Sequence, residues 1–134
     1  MTQKIIFLSS ISDLNVIPED LLQENDMKIF SFDFNVHEEL NIKKMKHEIA
    51  DNLLTLDERL NLFDKIKELE SWHSNFFTDD FNLEKINLLK IFDRNELLTY
   101  ILLQLINFKI IKKILEKSNP IESIATTRMS KIIQ

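Results

Sequence analysis

The chain contains no glycine among its 134 residues. At a usual frequency of about 7%, that absence is expected roughly once in ten thousand chains of this length. Glycine-dependent backbone is therefore excluded. There is no Walker A loop, no G-x-G-x-x-G dinucleotide fingerprint, no EF-hand loop and no G-x-S-x-G nucleophile elbow. Abundant Ile, Lys and Asn beside few Ala point to the codon usage of an AT-rich genome, which accounts for part of the missing glycine. Cysteine is absent too. Disulfides, zinc-thiolate sites, iron–sulfur clusters and thiol nucleophiles are excluded with it.

The chain is 44% apolar and 29% charged, and its formal net charge is −5. That is ordinary globular usage, with length enough for one domain and a real core. The cations are 14 Lys and 3 Arg, so bidentate phosphate forks are scarce. Acidity and few Arg together argue against a nucleic-acid partner. The apolar run Ile5–Leu8 is too short for a secretory signal core of at least about 7 residues. Leu97–Leu115 is interrupted by Gln104, Asn107, Lys109, Lys112 and Lys113. It reads as a buried helix rather than a membrane span, and the expected compartment is the cytoplasm.

The pattern alternates strands and helices. Lys4–Ser10 (KIIFLSS) predicts a buried strand that exits into a loop. Pro18 starts a short helix through Gln23, with Glu19 and Asp20 at its positive end. Met27–Phe34 alternates as a strand with Phe30, Phe32 and Phe34 on one face. Val36–Ile42 predicts a short helix and Lys46–Ala50 a short strand. Thr55-Leu56-Asp57-Glu58 is a capping-box pattern opening an amphipathic helix from Leu56 to about His73. Asn75–Asp80 breaks it, and Leu83–Ile91 reads equally as helix or strand. Asp93 caps a long helix from Glu96 to Lys117, stopped by Ser118-Asn119-Pro120 with Asn119 as a left-handed cap. Ile121–Thr127 predicts a last strand, and Arg128–Gln134 begins a further helix.

This order predicts one α/β domain over residues 1–134, Rossmann-like, with a short, largely parallel sheet covered by helices. An all-α bundle is the rival, because every strand is short. Candidate site residues are those at strand ends, where open α/β sheets bind ligands. They are Ser9, Ser10, Asn35, His37, Thr127 and Arg128. Ser and Asn suit sugar hydroxyls, His37 suits a general base, and Arg128 suits a phosphate. Ordinary capping by Ser and Thr, and a helix-end His37, account for the same residues without any ligand. Asp33 reads as an edge-strand acid or a ribose contact. His47-Glu48 lacks the second His of a zincin, so no metal is expected, and no cofactor. A response-regulator-like domain needs clustered acids just after the first strand, where Ser9 and Ser10 stand. Phe76 and Phe77, beside Trp72 and Phe81, form either a partner patch or helix-end packing.

Four segments carry a family resemblance. They are KIIFLSS, the F-x-F-N-V-H-E-E-L stretch from Phe32 to Leu40, the H-E-I-A-D-N-L-L-T-L-D-E-R segment from His47 to Arg59, and the run from Asp93 to Pro120 that feeds the last strand. Together the chain resembles the amino-terminal domains of surface-carbohydrate biosynthesis proteins related to two-domain, GT-B-like glycosyltransferases. That resemblance implies an acceptor-side domain of a larger protein, inactive alone. Its implied partners are a sugar or glycan acceptor and a carboxy-terminal domain of the same chain. The competing expectation is a non-catalytic protein–protein interaction module docking through Phe76 and Phe77.

Overall fold

In the order of the chain, the computed structural model gives β1 (Lys4–Leu8), α1 (Ile11–Val16), α2 (Glu19–Leu22), β2 (Met27–Ser31), α3 (Phe34–Ile42) and β3 (Glu48–Ile49). A 3₁₀ turn (Ala50–Leu53), α4 (Leu56–Glu68), β4 (Asn82–Leu83), β5 (Ile86–Asn87), α5 (Arg94–Ser118) and β6 (Glu122–Ala125) follow. The structure describes residues 3–68, 82–83, 86–87 and 94–126. It divides into two units, residues 1–54 with 107–134, and residues 55–106.

The first unit is built on a four-stranded sheet in the order β3-β2-β1-β6. All three of its pairings are parallel. The chain is thus an α/β protein with a parallel sheet, as the alternating pattern predicts, and not the all-α bundle. Parallel neighbours need crossovers, and the helices between successive strands supply them.

The sheet is buried on both faces. Ile5, Ile6, Phe7 and Leu8 are all fully buried, which explains why β1 reads as an unbroken apolar run. On one face Ile6, Leu8 and Ile29 pack with Leu14 of α1, Leu22 of α2, and Val36 and Leu40 of α3. Val36 and Leu40 stand one helical turn apart, so α3 presents both to the sheet. On the other face the Phe7 and Phe30 rings stack with centroids 6.1 Å apart, and Phe32 meets Phe7 edge-on at 6.0 Å. Ile110, Ile111 and Ile114 in the second half of α5 are buried. Ile114 shares with Phe30 and Leu53 the wall of a cavity of about 400 Å³. Lys113 Nζ donates to the Leu53 carbonyl at 3.0 Å, tying α5 to the 3₁₀ turn.

Without glycine, two helices end on residues that bear the left-handed conformation themselves. Lys44 follows α3 with φ 55°, and Asn119 follows α5 with φ 40°. At α3 the Met45 N–H bonds the Leu40 carbonyl and the Lys44 N–H bonds the Asn41 carbonyl. That is a Schellman closure with lysine where glycine is usual. Asn119 closes α5 as its sequence position predicts, its N–H bonding the Leu115 carbonyl at 2.9 Å.

Three local expectations are corrected. The strand expected over Lys4–Ser10 ends at Leu8 and leads not into a loop but into helix α1, which Ser10 caps. The second strand stops at Ser31. Phe34 begins α3 and is 72% exposed rather than sharing a face with Phe30. Asp33 is not an edge-strand acid but the cap of α3, accepting from the Asn35 and Val36 amides at 2.9 and 3.2 Å.

The second unit contains α4, the two-stranded antiparallel β4–β5 pair and the first half of α5. The capping box is formed. The Thr55 N–H donates to Glu58 Oε2 at 2.9 Å and the Glu58 N–H to Thr55 Oγ1 at 3.3 Å. The helix buries Leu62 and Ile66 but leaves Leu56, Leu60 and Phe63 exposed. Residues 69–73 of the expected helix, Phe76 and Phe77, and the break at Asn75–Asp80 lie outside the described residues.

Candidate functional site

The strand order defines where a ligand site belongs. From β1 the chain moves through β2 to β3 on one side, then returns across the sheet to place β6 on the other side of β1. The strand order reverses between β1 and β6, and open α/β sheets bind ligands outside the carboxyl ends of such neighbours.

Four polar side chains meet at that point. Ser9 follows β1, Ser10 caps α1, Asp13 lies in the first turn of α1, and Thr126 follows β6. Asp13 Oδ2 accepts the Ser9 N–H at 2.8 Å and the Ser9 hydroxyl at 2.6 Å. The Asp13 N–H donates to Ser10 Oγ at 3.2 Å. This is a capping box reaching one residue further back than usual. Burial, with Asp13 8% exposed, opposes the charged carboxyl. The Ser9 hydroxyl and N–H, with Ser10 and Thr126, more than offset it and hold the carboxyl below its usual range. Thr126 Oγ1 is buried and acts on this carboxyl without completing a hydrogen bond of full geometry.

The arrangement selects its chemistry. In phosphate-binding α/β folds, free amides after the first strand cradle the anion. Here the Ser9 amide is taken by a carboxylate and the Asp13 amide by a hydroxyl. The cradle is filled from within by negative charge, which disfavours a phosphate. Carboxylate and hydroxyls together suit a ligand that donates hydrogen bonds, such as a polyol.

The sequence-proposed residues fall in three places. Ser9 and Ser10 belong to this cluster. Asn35 is exposed in the first turn of α3, where its N–H serves the Asp33 cap. His37 lies further along α3, with Nδ1 2.7 Å from His47 Nε2. Thr127 and Arg128 lie outside the described residues. Asp13 was not among the sequence candidates, although Ser10-x-x-Asp13 is the same capping signal that marks Thr55-x-x-Glu58. The His37–His47 contact joins residues that sequence spacing leaves unrelated.

A larger cavity of about 700 Å³ lies beside the beginnings of the strands, lined by Gln3, residues 25–29 and residues 46–48. Its charges are balanced, Lys28 and Lys46 against Asp26 and Glu48. Lys28 and Glu48 are already paired at 2.7 Å. It lies at the end of the sheet opposite the carboxyl ends of β1 and β6, so its size alone does not make it the better candidate. Among the described residues no group of three or more His, Asp or Glu is placed to hold a metal ion. No described helix is long and apolar enough to cross a membrane. No family model, curated protein or solved structure matches the chain.

Proposed function

We propose that this chain is the acceptor-side, Rossmann-like domain of a glycosyltransferase-type protein of surface polysaccharide assembly. It recognises the hydroxyls of a sugar or glycan and does not catalyse transfer alone. The observation that carries this reading is the Ser9–Asp13–Ser10 cluster with Thr126 at the crossover point of a parallel sheet. A carboxylate among hydroxyls accepts and donates to sugar hydroxyls while repelling a nucleotide's phosphates. The link from that chemistry to glycosyl transfer rests on the sequence resemblance and on analogy between folds. Calorimetric titration of the chain with neutral oligosaccharides and with nucleotide sugars tests it. Binding confined to the oligosaccharides supports the proposal; binding confined to nucleotide sugars, or to neither, contradicts it.

The second reading is a protein-interaction module. It is favoured by one observation, the exposed stripe Leu56, Leu60 and Phe63 on α4. These residues follow helical spacing on one face, as a helix-docking surface requires.

A further inference from the structure

His37 and His47 are joined in a chain of hydrogen bonds whose direction is set at one end. His47 Nδ1 lies 2.8 Å from the Met45 carbonyl oxygen. A carbonyl only accepts, so His47 Nδ1 carries the hydrogen. In a neutral ring, His47 Nε2 then bears the lone pair. It lies 2.7 Å from His37 Nδ1, which must therefore donate. His37 Nε2 is left as the acceptor and faces the Asn41 side-chain amide at 3.1 Å. The logic runs outward from a backbone oxygen, so it does not depend on how the Asn41 amide is oriented.

We infer that His47 is a positioning residue that fixes the tautomer of His37, and that His37 Nε2 is the lone-pair atom offered to a ligand hydroxyl. The His37 Nδ1–H and the His47 Nε2 lone pair meet across 2.7 Å, so His47 fixes which His37 nitrogen carries the hydrogen. The His37 side chain is 24% exposed, so a hydroxyl can replace the Asn41 amide at Nε2. The ligand class rests on the proposed function; the proton inventory does not.

The surrounding charges act from three elements. On α3, Glu38 Oε1 is 3.9 Å from His37 Nε2. Before and within β3, Lys46 and Glu48 flank His47. From the start of β2, Asp26 and Lys28 line the same cavity wall as His47. Lys28 and Glu48 neutralise each other.

Long-range ¹⁵N–¹H NMR of the imidazoles in the full chain, free of ligand, tests the assignment. As neutral rings, both are expected as the Nδ1–H tautomer. In His47→Gln, checked for retained amide dispersion, His37 should populate the Nε2–H tautomer. Nε2–H tautomers in the unaltered chain, or a His37 tautomer unchanged in His47→Gln, overturns the inference. Because no sugar is present, this outcome is separate from failure of the oligosaccharide titration.

Discussion

Asp13 holds Ser9 by two atoms at once, accepting from its amide at 2.8 Å and from its hydroxyl at 2.6 Å. The contact turns the end of β1 into the start of α1 and places a buried carboxylate where related architectures leave open amides. Both the fold of this corner and the ligand chemistry proposed for it depend on that pair.

Asp13→Asn should lower stability by about 1–3 kcal/mol, the usual effect of weakening hydrogen bonds to a buried charged group. The pH dependence has a definite sign. The folded-state pKa of Asp13 is lowered, so its stabilisation is complete above the unfolded value of about 3.9. It is lost as the pH falls from there through the lower folded value. Urea unfolding at a series of pH values should show a shallower acid limb in the variant. Parallel acid limbs in the two proteins would disprove the role assigned to Asp13.

Phe7→Ala should cost about 3–5 kcal/mol, because a fully buried ring in contact with Phe30 and Phe32 is replaced by a void. Phe34→Ala, at a site 72% exposed, should change stability by less than about 0.5 kcal/mol. Denaturant midpoints of the two variants measure the contrast. Equal losses would place Phe34 in the core and return it to the strand.

Lys44→Gly should raise stability by about 0.5–1 kcal/mol. A residue with a Cβ pays steric energy at φ 55°, and glycine does not, though glycine loses more entropy on folding. A gain in thermal midpoint for Lys44→Gly, absent for Lys43→Gly, is the expected result. A loss at Lys44 would mean that its closure of α3 carries no strain.

Much of the architecture was legible because its signals are local. The apolar run of β1, Pro18 before α2, the Thr55–Glu58 box and the Asn119 stop each act within a few residues, and the elements appear where they point. The errors arose where two local codes overlapped. Phe30, Phe32 and Phe34 keep a strand's alternation, but Asp33 between them is a stronger helix start, and the cap decided where the chain turned. Ser9 and Ser10 suit ligand contacts as well as caps, so helix α1 shows only once Ser10 is paired with Asp13. Leu56, Leu60 and Phe63 follow helical spacing as predicted, yet spacing cannot say that Leu62 and Ile66 are the buried side chains. The candidate site was only half visible. Ser9 and Ser10 precede a turn, but Thr126 reaches them through the pairing of β6 with β1, a contact no short-range pattern contains. The His37–His47 contact likewise depends on α3 folding back along the sheet.

The central claim is that the carboxyl ends of β1 and β6 receive a hydroxyl-rich ligand. Amide chemical-shift mapping of the chain with a neutral oligosaccharide at millimolar concentration tests it most directly. The account predicts saturable shifts centred on Ser9, Ser10, Asp13 and Thr126, abolished in Asp13→Asn while the remaining spectrum keeps its dispersion. Saturable shifts confined to the cavity around Lys28 and Glu48, or none at any concentration, would contradict it.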